Sequence, residues 1–62
     1  MQFHIENMTC GGCVRSVTKA IQSVDPDARV NADTDSRMVD VSTTVLRETL
    51  AAVLADVGYA AN

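Results

Sequence analysis

Tryptophan is missing from this chain, and phenylalanine, tyrosine and histidine occur once each, as Phe3, Tyr59 and His4. With so few aromatics, any core has to be built mainly from valine, leucine, isoleucine and alanine. Positive charge is also scarce: five Lys and Arg stand against eight Asp and Glu, a net charge of −3. A nucleic-acid surface needs a basic footprint, so an acidic chain with almost no stacking side chains excludes that class of partner. No apolar run approaches the roughly 20 residues of a membrane-spanning helix, which excludes direct membrane insertion. Met1 to Glu6 lack the basic start and apolar stretch of an export signal. The expected compartment is therefore the cytoplasm, where thiols stay reduced.

A chain of 62 residues is short, and chains of this size bury only about 60% of the surface they expose when unfolded. That leaves no depth for a lidded substrate cleft. Hydrophobic content of 47% still suffices for one compact core. There is no linker, low-complexity tract or repeat, so one domain over residues 1–62 is expected.

What is present is periodic. Phe3 and Ile5 alternate with Gln2, His4 and Glu6, the pattern of a half-buried strand. From Cys13 onward the spacing is helical, with Val14, Val17, Ile21 and Val24 on one side and Arg15, Ser16, Lys19 and Gln22 on the other. Asp25-Pro26-Asp27 stops that helix, because proline cannot continue it and disfavours helical geometry at Asp25. Ala28, Val30 and Ala32 then alternate with Arg29, Asn31 and Asp33. After the turn cluster Asp33-Thr34-Asp35-Ser36, Val39 and Val41 alternate with Met38, Asp40 and Ser42, which reads as a hairpin.

Thr43 or Thr44 can cap a second helix whose apolar stripe is Leu46, Leu50, Val53, Leu54 and Val57, with Gly58 suited to the left-handed residue that ends it. Tyr59 to Ala61 leave room for a short last strand. The order β-α-β-β-α-β predicts an α+β, ferredoxin-like sandwich with two helices on one face of a four-stranded antiparallel sheet. That face would bury Phe3, Ile5, Val30, Val39 and Val41, and the other would be wet.

Both cysteines lie in Asn7-Met8-Thr9-Cys10-Gly11-Gly12-Cys13, which joins the first strand to the first helix. Four readings compete: a redox couple, part of a zinc site, a disulfide staple, or a claw for a soft ion. Reducing conditions weaken the staple. The chain is too short for the larger thioredoxin fold, and its one proline sits at the far end of the helix rather than opposite the thiols. A structural zinc site takes four protein ligands, but Cys10 and Cys13 are joined only by His4, which falls on the wet face of the first strand. Univalent copper, silver and gold are different, because soft ions of this kind accept two thiolates. A helix N-terminus also favours thiolate over thiol. Gly11 and Gly12 permit unusual backbone angles there and add no bulk beside the sulfurs.

Met8-Thr9-Cys10-Gly11-Gly12-Cys13, following a strand and opening a helix in a β-α-β-β-α-β chain, resembles the heavy-metal-associated domain family, especially its small bacterial copper chaperones and their gold-binding relatives. The resemblance covers nearly the whole chain. It implies that Cys10 and Cys13 are the metal ligands and that Met8 packs inward and anchors the loop. It also implies that Tyr59, after Gly58, lies beside the site without being a primary ligand. Thr9 stands where zinc-type relatives often carry an acid, and Gly12 where some copper chaperones carry a histidine, so Cu(I), Ag(I) and Au(I) stay open.

The expected function is a cytosolic metallochaperone, not an enzyme, that holds one Cu(I) ion and passes it to a metal-exporting P-type ATPase by thiol exchange. The alternatives are a gold- or copper-induced sequestering protein and a sensory domain of a larger exporter; the start at Met1 argues against the last. The metal-free chain is expected to be monomeric, with a metal-bridged dimer accessible. Arg15 and Lys19, four residues apart behind Cys13, would share an exposed face. That face is either a docking patch or ordinary solvated charge.

Overall fold

The computed structural model describes residues 1–61. Its elements run β1 (Gln2–His4), α1 (Gly11–Val24), β2 (Arg29–Asp33), β3 (Met38–Ser42) and α2 (Arg47–Asp56). β3 lies in the middle of the sheet and pairs antiparallel with both neighbours, giving the order β1-β3-β2. Phe3 faces Val39 across one ladder, and Val39 faces Ala32 across the other. Because side chains alternate across a strand, Phe3, Val39 and Val41 point into one face and are buried. Asn31, Asp33, Asp40 and Ser42 lie exposed on the other face.

Both helices cover the apolar face. Val17, Ala20 and Ile21 of α1 and Leu50 and Leu54 of α2 join Phe3, Ile5, Met8, Ala28, Val39 and Val41 in one core cluster. The expected aliphatic composition of this core holds, with Phe3 its one fully buried aromatic ring.

The helix ends show how local chemistry sets the boundaries. Asp25, before Pro26, is extended (φ −139°, ψ 98°), and its N–H still donates to the Ile21 carbonyl as the helix stops. Gly58 takes φ +88°. Its N–H bonds to the Ala55 carbonyl at 3.1 Å and that of Tyr59 to the Leu54 carbonyl at 2.9 Å, a complete Schellman closure of α2. In the β2–β3 turn, Arg37 adopts φ 59°, a region costly for a side-chain-bearing residue. It is held there by its carbonyl accepting from Ile5 N–H (2.8 Å) and its guanidinium donating to Glu6 (2.6 Å).

Several expectations are corrected. Among the described residues the sheet has three strands, not four: Tyr59 to Ala61 are irregular. In the β1–β3 register, Met1 and Val41 exchange backbone bonds, so the Gln2 carbonyl faces the outer edge of β1. Arg47 occupies that edge, donating to the Gln2 carbonyl at 2.5 Å while its guanidinium stacks 4.4 Å from the Phe3 ring centroid.

Neither Thr43 nor Thr44 caps α2. The Thr43 hydroxyl donates to Asp25 Oδ2 (2.5 Å) and accepts from Val45 N–H (3.2 Å), and Leu46 takes the N-cap position instead. Leu46 is 71% exposed and Val57 46% exposed, so neither belongs to the buried stripe. Val30 and Val53 are half-buried.

Candidate metal centre

β1 ends at His4, and the chain turns through Glu6 and Asn7, with the Met8 N–H bonding back to the Ile5 carbonyl at 3.1 Å. Met8 then drives its side chain into the core, where it is 0% exposed. This plug fixes the entrance to the loop. Thr9 and Cys10 follow at the surface, and Cys10 is the N-cap of α1 in an extended conformation (φ −148°, ψ 168°). Its carbonyl accepts the Val14 N–H at 3.2 Å, closing the first turn. Gly11 and Gly12 are the first two helical residues and Cys13 the third.

Neither Gly11 nor Gly12 takes a positive φ, and a methyl group on Gly12 would sit 3.9 Å from Cys10 Sγ, an ordinary contact. The expectation of unusual backbone angles at this pair is therefore corrected. Glycine is a weak helix former, by about 1 kcal/mol relative to alanine in a helix interior, and here the pair opens the first turn of α1.

The two sulfurs stand 3.0 Å apart and both thiols are free; Cys10 is exposed and Cys13 half-buried. Metal–thiolate bonds are about 2.3 Å long, taking the zinc value. An ion between opposed thiolates would thus hold the sulfurs roughly 4.6 Å apart, so binding has to spread the pair. Among the described residues, no group of three or more His, Cys, Asp and Glu side chains comes together to hold a metal ion. His4 lies on β1 near Glu6 (3.3 Å) and is not part of the loop.

The electrostatics single out Cys13. Its pKa is lowered from 9.0 to about 6, first by a hydrogen bond from the Tyr59 hydroxyl, then by the Cys10 side chain and by backbone N–H groups of Thr9 and Cys10. The reciprocal effect raises the Tyr59 phenol, because ionising it would place an anion against the Cys13 sulfur. α1 has no acidic residue in its first turn, so a thiolate meets the positive end of the helix dipole without competition from a carboxylate.

Tyr59, from the opposite end of the chain, is half-buried and packs, like Cys13, against the core cluster. Arg15 and Lys19 are both exposed on α1. Two residues escaped the sequence analysis as site residues. Ser16, one turn after Cys13, draws the Tyr59 phenol pKa down against the larger upward pull of Cys13. Asn7 Nδ2 donates to the Gly58 carbonyl at 2.6 Å, bridging 51 positions of sequence. Helical spacing puts Ser16 above Cys13, but nothing local to Asn7 points to Gly58.

Fold and loop together define a class: small open-faced α+β sandwiches that present a paired-thiol loop at one end. The heavy-metal-associated domain profile matches residues 2–60, and the chain belongs to that family. A crystal structure of a gold binding protein is similar at 45% identity and TM-score 0.97, covering 100% of this chain and 95% of that one. The copper chaperone Atx1 from Synechocystis, in a trimeric copper form carrying a His61Tyr mutation, is 31% identical with TM-score 0.97, covering 100% and 98%. An Agrobacterium tumefaciens protein determined by NMR is 37% identical with TM-score 0.88, covering 97% and 94%. No curated protein sequence matches. No helix among the described residues is long and apolar enough to cross a membrane.

Proposed function

We propose that this protein is a cytosolic metallochaperone that holds one univalent copper ion between Cys10 and Cys13 and hands it to a metal-exporting P-type ATPase. The observation that carries this reading is the site itself: two free thiols 3.0 Å apart at an uncompensated helix N-terminus, one of them exposed. Two soft anionic donors complete the coordination of a univalent d¹⁰ ion, whereas zinc would want two more. Similarity to a copper chaperone over the whole chain supports the same assignment. Met8 packs rather than ligates, and Tyr59 stands beside the ion as a hydrogen-bond donor to Cys13.

Transfer is ligand exchange. A thiolate of the recipient adds to the ion, then one chaperone thiolate leaves and takes up a proton; the metal stays univalent and no covalent bond to carbon changes. Exposure of Cys10 gives the incoming thiolate its approach. Arg15 and Lys19, exposed on α1, steer an acidic face of the recipient toward the site. The metal-free chain is a monomer, and an ion shared by two open sites bridges a dimer.

Similarity to a gold binding protein favours a second reading, in which the chain sequesters Au(I), Ag(I) or Cu(I) without a dedicated recipient. Anaerobic competition for Cu(I), Ag(I) and Au(I), with metal analysis of protein from metal-challenged cells, identifies the ion, and a transfer assay separates the two readings. Copper retained in cells and passed on to an exporter domain supports delivery. Gold retained in its place, with no transfer to any exporter domain, supports sequestration.

A further inference from the structure

In the order β1-β3-β2, β2 is an edge strand, and the pairing on the far side of β3 shows which of its groups lie outermost. Met1 and Val41 exchange backbone bonds of 2.8 and 2.7 Å, and Ile5 N–H reaches the Arg37 carbonyl. The backbone groups of Val39 and Val41 therefore face β1, and those of Met38, Asp40 and Ser42 face β2. Their partners Asp33, Asn31 and Arg29 turn N–H and C=O inward to meet them. Val30 and Ala32 are left with both groups directed out of the sheet, and no group among the described residues bonds them there. Their side chains pack against the core cluster yet stay only half-buried. An edge of this kind is a template for another strand.

We infer that this edge pairs with the same edge of a second copy of the chain, antiparallel and centred on Asn31. The run Arg29-Val30-Asn31-Ala32-Asp33 selects that occupant, because it is complementary to its own reverse. About a two-fold axis through Asn31, Val30 lies opposite the second copy's Ala32, and both such pairs exchange backbone bonds. On the exposed face Arg29 then lies opposite the second copy's Asp33, twice by symmetry. Arg29 makes no ion pair of its own among the described residues. The Asp33 carboxylate is oriented by the Asp35 N–H at 2.9 Å from Oδ1, with Oδ2 left to accept the guanidinium. Other registers lose the match. Parallel pairing in register sets Arg29 against Arg29 and Asp33 against Asp33. Opposing the two Val30 residues sets Asp33 against Asp27, and opposing the two Ala32 residues carries Arg29 past the strand end.

β1 and β2 run the same way, both antiparallel to β3. The antiparallel pair thus sends the two thiol loops to opposite ends, and both stay open. A contact along five residues belongs to the weak, transient class. The dilute metal-free chain is the monomer, and the pair forms as concentration rises.

The test follows the reduced, metal-free full chain from micromolar to millimolar concentration by sedimentation equilibrium and amide NMR. Wild type should self-associate, with shifts centred on the Val30 and Ala32 amides rather than on Gly11 and Gly12. Arg29→Asp and Asp33→Arg should each associate about tenfold more weakly, because symmetry turns one substitution into two like-charge pairs. An equimolar mixture of the two should associate like wild type, as should the exchanged double variant Arg29→Asp/Asp33→Arg, since each restores two opposite-charge pairs. Cys10→Ser/Cys13→Ser should also associate like wild type. Ala32→Pro removes an outward N–H and no bond to β3, so it replaces any charge variant that fails to fold. It should lose association while the Asn31 amide, bonded within the sheet, keeps its protection.

A chain that stays monomeric at millimolar concentration would overturn the proposal. So would single variants that associate like wild type, a mixture that does not, or association that disappears with the cysteines.

Discussion

Replacing Met8 separates a ligand from a plug. Its side chain is 0% exposed, packed in the cluster that holds Phe3, Ile5, Val17 and Leu50. Truncation to alanine removes that packing and leaves a cavity, a change worth about 2–5 kcal/mol at such sites. At roughly 0.05–0.15 kcal/mol per residue, a chain of 62 residues has only about 3–9 kcal/mol to lose. Met8→Ala is therefore expected to be severely destabilised and uninformative about metal. Met8→Leu preserves volume and should cost under about 1.5 kcal/mol. With about 4–8 °C per kcal/mol for small domains, its thermal midpoint should fall by no more than about 12 °C. Because leucine has no sulfur, a ligating Met8 would reveal itself as lost affinity. Under the packing account, Cu(I) affinity measured by anaerobic chelator competition changes by less than about threefold, or under about 0.7 kcal/mol. A folded Met8→Leu protein that binds Cu(I) as poorly as Cys10→Ser would refute the two-thiol assignment.

Other expectations follow from the same geometry. In reduced, metal-free protein, ultraviolet thiolate absorbance should show Cys13 titrating near pH 6 rather than 9, and Tyr59→Phe, which removes the largest cause of the shift, should move that titration upward. Because the folded pKa is lowered, this group stabilises the fold fully above about pH 9 and loses that contribution as pH falls through about 6. Wild type should thus gain more stability than Tyr59→Phe across this window, and equal gains would contradict the hydrogen bond. The core does not depend on the loop thiols, so metal-free protein should melt cooperatively by circular dichroism, unlike a zinc finger whose folding energy is its metal; a disordered apo spectrum would contradict the fold. An Arg15→Glu/Lys19→Glu variant should keep Cu(I) affinity but transfer more slowly at low ionic strength, with the deficit shrinking as salt screens exposed charge. Equal rates for both proteins at low salt would reduce these residues to surface charge.

How much of this was legible depends on how local the determinant is. The strands at Phe3, Val30 and Val39, both helices, the stop at Pro26 and the left-handed Gly58 all arise from neighbours in sequence, and a linear reading finds them. The fourth strand was not readable in that way. Three residues after a helix carry no pairing information, and the β1 edge they would have used is occupied by Arg47, whose guanidinium could not be placed over Phe3 from spacing alone. The start of α2 lies beyond a linear reading for a similar reason: Thr43 spends its hydroxyl on Asp25, 18 positions earlier, rather than on the nearest helix. At the site, the Cys-x-x-Cys spacing and the helix N-terminus were explicit in the sequence. The approach of Tyr59 followed only from family resemblance, and the Asn7–Gly58 clamp from neither. Long-range contacts of single side chains leave no period to detect.

The account stands or falls on exchange between thiolates. Cu(I)-loaded protein should be mixed anaerobically with the metal-binding domain of a copper exporter from the same organism, with a membrane-impermeant Cu(I) chelator present as a trap for free ion. Direct handover predicts a transfer rate that rises in proportion to acceptor concentration, with no copper appearing on the chelator, and with Cys10→Ser and Cys13→Ser proteins unable to deliver. A rate independent of acceptor concentration, with copper passing first to the chelator, would mean that the ion leaves before a partner arrives, and the chaperone mechanism would be contradicted.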